Sequence, residues 1–403
     1  MRVRRLAALA AVLALAALAA CREELTAPGN CPALCPGSNF RVLDTIIDAD
    51  AGGDTSFTGY TARGQGQSFL VTDALAGLPE MRGLLRYFAR PDSVTVGDTL
   101  RAYTIDSVAL SLTLQHRDTA VKGLRVLLYR MPAPLSVDST TDFATVSAAL
   151  VEANLVDSIA VDDSVESGLL SLRYTEPEDV ARLDIPPADS GTLALAIAVR
   201  ADAPTGARFV ALGTGAPTFT TYVSADVEDE EDQDQTILRS PTLSTWVQEA
   251  PDPTDPDLLA VGGGPSSRPL IRFSIPDIVR DSATISRATV ELTLTQPIAG
   301  LAGDSADLSV RAVISDLGAK SPTAAASGAT TRLGPGAGGT IEFDITAAVR
   351  AWLGEDGLPS AFMLILSPEA ASFLRPVFAS TRAGGPVPKV HITYTLPVDF
   401  GEQ

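Results

Sequence analysis

The chain has 403 residues, 45% of them apolar, which is enough for two domains with substantial cores and excludes a largely disordered protein. Its net charge is −19, so a basic surface for nucleic acid is not expected. Two histidines and three cysteines leave little material for a metal site or a nucleophile, and we expect neither a metal nor a cofactor.

Residues 1–20 have the composition of a secretory signal peptide. Arginines near the start precede the apolar run 6–20, which is shorter than the about 20 residues that a membrane-spanning helix needs. The run ends in Leu18-Ala19-Ala20-Cys21, which resembles a bacterial lipobox. That resemblance implies cleavage before Cys21 and acylation of its thiol and amino group, and Arg22 by analogy favours an outer membrane. The alternative is an ordinary signal peptide followed by a chance cysteine.

The mature chain begins with a Pro- and Gly-rich tether at 21–42. It contains Cys31 and Cys35, and an exported protein meets an oxidising compartment in which these two can form a disulfide. Two cysteines alone cannot complete a structural zinc site. Free thiols or pairing with another chain are the alternatives to the local disulfide.

Beyond the tether, alternating apolar and polar residues between Gly, Pro, Asp and Ser are typical of β-strands. The clearest predicted strands lie at 105–114, 124–129, 193–199, 289–294, 308–314 and 390–396. They form two similar series, in which 84–88 recurs as 270–274. We therefore predict an all-β fold of two tandem jelly-roll-like antiparallel β-sandwiches, copy one at 43–225 and copy two at 226–398, followed by a tail at 399–403.

One or two short helices are predicted in each copy. In copy one, Asp142 would cap a helix in the insertion 141–158, and a capping-box pattern at 175–178 precedes a second helix. In copy two, the apolar spacing at 345–353 predicts a helix that packs Trp352 inward. The acidic run 226–234 predicts a solvated linker between the copies, without the glycine-turn spacing of an ordered calcium loop.

Copy two opens with Arg268-Pro269-Leu270-Ile271-Arg272-Phe273 and continues with the strand 283–292. It later shows the helix entry Phe343 to Leu353 and a Pro-x-Val-x-Ile-x-Tyr strand at 388–394. These motifs resemble the DNRLRE domain, and copy one resembles it more weakly. The resemblance implies a jelly-roll-like sandwich of secreted and cell-surface proteins, some of which are classed as carbohydrate-binding modules.

Catalytic motifs are missing from the sequence. The glycine run 334–339 satisfies G-x-G-x-x-G, but strand-like residues follow it, so it predicts a hairpin loop rather than a dinucleotide site. His116 and His391 fall on or beside predicted strands, and we interpret both as ordinary strand histidines. We expect no catalytic residue.

Aromatic residues in loop-like stretches are the candidates for ligand binding. Trp246 and Tyr60 could stack on sugar faces. The first hypothesis is a non-enzymatic, lipid-anchored protein of the bacterial cell envelope, periplasmic or surface-exposed, with a structural or adhesive binding role. A polysaccharide-binding surface lipoprotein is the alternative, and a secreted hydrolase with an unrecognised site is the third. The expected partners are the membrane, through the N-terminal lipid, and a polysaccharide or an envelope protein.

Overall fold

The computed structural model describes residues 42–61, 65–132, 137–184, 192–226, 233–249, 255, 257–264, 266–324, 329–354 and 357–396. The signal peptide, Cys21, the tether cysteines Cys31 and Cys35, and the tail 399–403 lie outside the described residues. None of the helices within these ranges has the length and apolar character of a membrane-spanning helix.

Strands dominate the described chain. Those of the first half are β1 Val42–Asp48, β2 Thr55–Thr58, β3 Ser68–Asp73, β4 Met81–Phe88, β5 Val94–Val96, β6 Thr99–Arg101, β7 Tyr103–Arg117, β8 Arg125–Arg130, β9 Leu155–Ala160, β10 Gly168–Tyr174, β11 Thr192–Arg200, β12 Thr205–Val210 and β13 Thr218–Ala225. Those of the second half are β14 Gln233–Arg239, β15 Leu243–Gln248, β16 Leu258–Ala260, β17 Ser267–Arg272, β18 Thr284–Thr293, β19 Ala306–Ala312, β20 Thr330–Leu333, β21 Thr340–Asp344, β22 Ala361–Ser367, β23 Val377–Ala379 and β24 Lys389–Thr395.

Within the ranges given above, four short α-helices accompany the strands: α1 Phe143–Ala149, α2 Pro177–Leu183, α3 Asp277–Ser282 and α4 Thr346–Trp352. The Asp142 carboxylate accepts from the Thr145 backbone N–H at 2.8 Å, which confirms the predicted start of α1. The capping box predicted for α2 is wrong, because the residue that caps it, Glu176, makes no side-chain bond to the helix. Pro177 instead fixes the first turn. The sequence did not predict α3.

The antiparallel strands form two sandwiches, which confirms the predicted all-β, jelly-roll-like fold. Sandwich one consists of sheet 1A, in the order β14-β13-β7-β12-β3 with β10 also on β7, and sheet 1B, in the order β15-β4-β11-β8-β9. Sandwich two consists of sheet 2A, in the order β1-β24-β18-β21, and sheet 2B, in the order β2-β17-β22-β19-β20. Small two-stranded sheets join β16 to β23 and β5 to β6.

The two sandwiches exchange strands. The first strands of the chain, β1 and β2, pair with β24 and β17 of sandwich two. Conversely, β14 and β15 pair with β13 and β4 of sandwich one. The sheets therefore do not follow the predicted boundaries at 43–225 and 226–398. Sequence alternation identifies strands and their faces but not the strand beside which each one lies.

Strand order supports the internal duplication. The path β14-β13-β7-β10 in sheet 1A corresponds to β1-β24-β18-β21 in sheet 2A. Sheets 1B and 2B correspond in the same way, strand for strand. The two copies thus share one topology, and each has given its first two strands to the other.

Two details of the loops differ from the predictions. Residues 227–232 of the acidic run lie outside the described residues, but Asp234 belongs to β14, so the predicted linker at 226–234 is wrong at that position. The glycine run 334–339 does not form a hairpin. It connects β20 in sheet 2B with β21 in sheet 2A, and so it crosses from one layer of sandwich two to the other.

Each sandwich buries its own apolar core between its sheets. The inward faces include Phe69, Leu110 and Phe209 in sandwich one. In sandwich two they include Val290 and Phe362. Alternation of residues along each strand places these side chains inside and their neighbours outside, as period-two patterning requires.

The sandwiches also share apolar packing. Leu301, Ala370 and Phe373 belong to loops of sandwich two but are buried in the core of sandwich one. A Cβ on Gly206 of β12 would lie 3.3 Å from the Phe373 ring, so the loop approaches that strand closely. We call this contact between the two sandwiches the seam.

Candidate binding cleft at the seam

An open cleft of about 610 Å³ lies at the seam. Residues of both sandwiches line it: Gln67, Ser68, Thr113, Leu114, Gln115, Ser167, Gly168 and Arg208 from sandwich one, and Ser305, Arg332, Pro368 and Ala371 from sandwich two. The cleft therefore depends on how the two copies are held together.

A buried carboxylate fixes the seam beneath the cleft. The Asp304 side chain has no exposed surface and accepts from Arg208 Nη1 at 2.7 Å. It also accepts from Ser372 Oγ at 2.9 Å and from the Phe373 backbone N–H at 3.0 Å. A buried charge is stable only when it is paired and hydrogen-bonded, so this site holds the loop of sandwich two against β12. The same ion pair orients Arg208 toward the cleft.

Hydroxyl, amide and guanidinium groups make up the polar part of the cleft. Ser68 Oγ donates to Gln115 Oε1 at 2.6 Å, which leaves the Gln115 amide nitrogen as a donor. Arg332 is exposed, and its Nη2 donates to Ser305 Oγ at 2.6 Å. Among the described residues, the lining contains no carboxylate, histidine or aromatic ring. Such a set can hold a polar ligand by hydrogen bonds.

The two histidines lie on strands of different sandwiches. His116 belongs to β7, and its Nε2 lies 2.9 Å from the Ala302 carbonyl oxygen of sandwich two. His391 lies on β24, with its Nε2 3.2 Å from Glu291 Oε2. Their positions confirm the interpretation as strand histidines. His116 adds a hydrogen-bond contact to the seam.

The prediction that Trp246 lies in a loop is wrong. Trp246 belongs to β15, and it is 9% exposed within the core of sandwich one. A Cβ on Gly264 would lie 2.7 Å from the indole, and one on Gly66 would lie 3.3 Å from it. An indole enclosed in this way presents no face on which a sugar ring could stack.

Tyr60 lies in the loop after β2, as predicted, but its ring is engaged. The Arg268 guanidinium lies 4.2 Å from the ring centroid, and the hydroxyl donates to the Ala319 carbonyl oxygen at 2.7 Å. Burial raises the pKa of the Tyr60 hydroxyl above its usual value. Arg268 is itself paired with Glu369. These contacts fix the loop to sandwich two.

Stacking surfaces are scarce in the described part of the chain. Phe88, at 62% exposure, is the exposed aromatic residue there, and no aromatic row follows a sheet face. Within the same residues, no group of three or more His, Cys, Asp or Glu side chains could hold a metal ion.

A second, smaller groove of about 340 Å³ lies on the outer face of sheet 2A. It is lined by Asp44, Thr45, Ile46, Arg287, Thr289, Glu342, His391, Ile392 and Thr393. Thr393 Oγ1 donates to Asp44 Oδ1 at 2.6 Å, so β1 contributes directly to this face. Its charges are of both signs and lie close together, and we regard it as the weaker candidate.

Sequence reasoning did not identify the residues of the seam cleft. Arg208 and Arg332 lie far apart in the sequence and belong to no common motif. One sequence feature could have pointed to part of the cleft. The alternation along the predicted strand 105–114 places Thr113 on the outer face, with other small polar side chains. Only the packing of the two sandwiches brings these residues together.

No known family profile matches the chain, and no curated protein sequence matches it. The fold is similar to the CBM22-1–CBM22-2 tandem domain of Paenibacillus barcinonensis Xyn10C, at 9% identity, 87% coverage of this chain, 98% of that chain and a TM-score of 0.15. It is also similar to the tandem CBM51 modules of Sp3GH98 from Streptococcus pneumoniae SP3-BS71, with 8% identity, coverages of 89% and 100%, and a TM-score of 0.13. The C-terminal domain of the Streptococcus pyogenes antigen I/II-family protein AspA gives 10% identity, coverages of 88% and 91%, and a TM-score of 0.15. At these TM-scores no functional conclusion follows from the similarities.

Proposed function

We propose that this protein is a lipid-anchored, non-catalytic binding protein of the bacterial cell envelope that holds a polysaccharide in the seam cleft. The observation that carries the proposal is the lining of the cleft, in which hydroxyl, amide and guanidinium groups converge from both sandwiches. This proposal combines the two leading hypotheses from the sequence: a lipid-anchored envelope protein with an adhesive role, and a polysaccharide-binding surface lipoprotein.

The chemistry of the cleft suits a polyhydroxylated ligand. Each sugar hydroxyl donates and accepts, and the cleft offers both kinds of partner in the Gln115 amide, the Thr113 hydroxyl and the Arg332 guanidinium. Because the cleft is open rather than enclosed, it can take a segment of a longer polymer. Without an aromatic ring in the lining, hydrogen bonds would supply the affinity.

The anchor part of the proposal is supported by the lipobox-like sequence ending in Cys21. Between Cys21 and the first strand at Val42, an extended tether would reach about 70 Å, at about 3.3–3.6 Å per residue. The sandwiches would then be presented well away from the bilayer. The resemblance of copy two to the DNRLRE domain is consistent with a secreted or cell-surface location.

The ligand is tested by retention of the purified full chain in gels that contain a panel of neutral and acidic polysaccharides. We expect saturable retention by at least one polymer, and a loss of about tenfold or more in Gln115→Leu or Arg332→Gln, because each change removes hydrogen bonds to the ligand. His391→Gln, in the groove on sheet 2A, is the matched control and should bind normally. No retention by any polymer would contradict the proposal, and a loss only in His391→Gln would assign binding to the other groove.

The anchor is tested by fractionating cells that produce the Cys21→Ser chain. We expect the protein to leave the membrane fraction, because the acylated thiol would be its attachment. Cys35→Ser is the control and should remain in the membrane fraction. A Cys21→Ser chain that stays fully membrane-bound would refute lipid anchoring while leaving the cleft untouched.

A further inference from the structure

The N-terminal strand pair is bound as if it were a separate ligand of sandwich two. In the described part of the chain, every hydrogen bond that residues 42–60 make outside their own segment goes to sandwich two. Strand β1 pairs with β24 from Val42↔Thr395 to Asp48↔Lys389. Strand β2 pairs with β17 at the edge of sheet 2B.

A buried charge holds the turn between these two strands. The Asp54 side chain has no exposed surface and accepts from the backbone N–H and Oγ1 of Thr381, each at 2.7 Å. The Arg382 guanidinium lies 3.2 Å from the same carboxylate. The Gly53 carbonyl oxygen accepts from Arg272 Nη1 at 2.9 Å. The segment is therefore recognised by its backbone and by a specific side chain.

Only a few residues, between Tyr60 and Gln67, connect the C-terminal end of this segment to the rest of copy one. Tyr60 is still seated on sandwich two, whereas the Gln67 carbonyl oxygen already accepts from the Ala211 backbone N–H of sandwich one at 2.8 Å. Among the described residues, none of the strand pairings, hydrogen bonds and ion pairs that hold 42–58 involves sandwich one. The same contacts would form if the segment came from another molecule.

We infer that sandwich two can take residues 42–58 from a second copy of this chain, so that two chains exchange their N-terminal strand pairs and form a closed dimer. A reciprocal exchange restores the pairing of β1 with β24 and of β2 with β17 in both molecules, so neither sandwich two is left without its strand pair and the assembly closes at two chains. The other exchanged pair, β14 and β15, lies between β13 and β16 and is tied at both ends, so β1 and β2 form the donated unit.

Concentration decides between the two forms, because their contacts are the same. A segment tethered by a few residues has an effective concentration in the millimolar range at its own sandwich, which favours the monomer in dilute solution. Chains crowded on one surface approach that concentration, and there the exchanged dimer forms. This inference is independent of the ligand in the seam cleft.

Disulfide trapping between two full-length chains tests the exchange. One chain carries Ile46→Cys and one affinity tag, the other carries His391→Cys and a different tag, and both carry Cys31→Ser and Cys35→Ser. Ile46 and His391 are direct partners in the register, and the about 4.5–5.5 Å between Cα atoms across antiparallel strands permits a disulfide. We expect co-expressed chains to give a covalent heterodimer on non-reducing gels.

Two controls make the result decisive. A chain with both Ile46→Cys and His391→Cys should close the disulfide within itself, which verifies the register. Leu238→Cys, on β14 and 68% exposed, combined with the His391→Cys chain measures random collision. The inference is overturned if the double variant closes but the mixed pair gives no more dimer than this control at any expression level. Asp44→Cys with Thr393→Cys repeats the test two register positions along, on the same face of the sheet, should Ile46→Cys impair folding.

Discussion

Each sandwich accepts a strand pair from the other copy, and we call each place of acceptance a joint: β14 and β15 on sandwich one, β1 and β2 on sandwich two. The two joints have the same strand order, but different side chains hold them. In sandwich one, β15 is anchored by the buried indole of Trp246, whose partner across the strand pair is Gly83. In sandwich two, the corresponding strand β2 has Ser56 opposite Pro269, and the buried carboxylate of Asp54 holds the turn before it. An apolar anchor thus secures one joint and a charged anchor the other.

The difference explains how each strand pair finds its sandwich. A Cβ on Gly83 would lie 2.8 Å from the Phe69 ring, so only glycine fits beneath the strand that carries Trp246. At the corresponding position sandwich two has Pro269, which is buried and lies opposite Ser56. The carboxylate of Asp54 needs the donors of Thr381 and Arg382, which belong to sandwich two. Mispairing would leave an indole exposed or a charge unpaired, and both are costly.

The chain allows the two joints to be followed separately, because it contains only two tryptophans. Trp246 lies in the core of sandwich one and Trp352 in the core of sandwich two. Trp246→Phe leaves an emission signal from sandwich two, and Trp352→Phe leaves one from sandwich one.

The largest effect is expected at the apolar joint. Trp246→Ala should lower the free energy of unfolding of sandwich one by about 3–5 kcal/mol, because it removes a buried aromatic side chain and leaves a cavity. Denaturant unfolding followed by circular dichroism measures this loss, and Trp246→Phe, which keeps an aromatic ring, should cost clearly less. A loss below about 1 kcal/mol would contradict the packing described for β15.

A smaller effect is expected at the charged joint. Asp54→Asn should lower the free energy of unfolding of sandwich two by about 1.5–3 kcal/mol, since it weakens hydrogen bonds to a charged, buried acceptor. Emission from Trp352 in the Trp246→Phe background reports that unfolding. Asp48→Asn, at an exposed position of β1, is the matched control and should change stability by no more than about 0.5 kcal/mol. An unchanged Trp352 transition, together with a shifted Trp246 transition when Asp54→Asn is placed in the Trp352→Phe background, would contradict the assignment of Asp54 to sandwich two.

Local patterns predicted much of the fold. The predicted strand 105–114 lies within β7, 193–199 lies within β11, and Trp352 is buried on α4 as its spacing indicated. Alternation and helical spacing report which side chains face inward, and these elements depend on little else. Strand partners depend on the fit of distant residues, such as Trp246 against Gly83, so the exchange could not be predicted.

The residues of the binding cleft could not be predicted from the sequence for a related reason. Its polar residues come from β3, β7, β12, β20 and the loops that meet at the seam, and they do not form a local motif. Loop-like flanks around Trp246 suggested an exposed ring, but β15 is buried against β4 because the chain has crossed to the other sandwich. The exchange therefore accounts for the misplaced aromatic residue, whereas the packing of the two sandwiches at the seam accounts for the cleft.

The pairing of β1 with β24 also sets the order of events during biosynthesis. Asp44 and Thr393 lie 349 positions apart along the chain, and β24 is synthesised long after β1. The sheets of sandwich one can pair once β15 has emerged, although its core is completed only by Leu301, Ala370 and Phe373, whereas sandwich two must wait for β24. Contacts of such long range make folding slow. The first strand therefore remains without its partner until β24 has been synthesised, and sandwich two closes only after that.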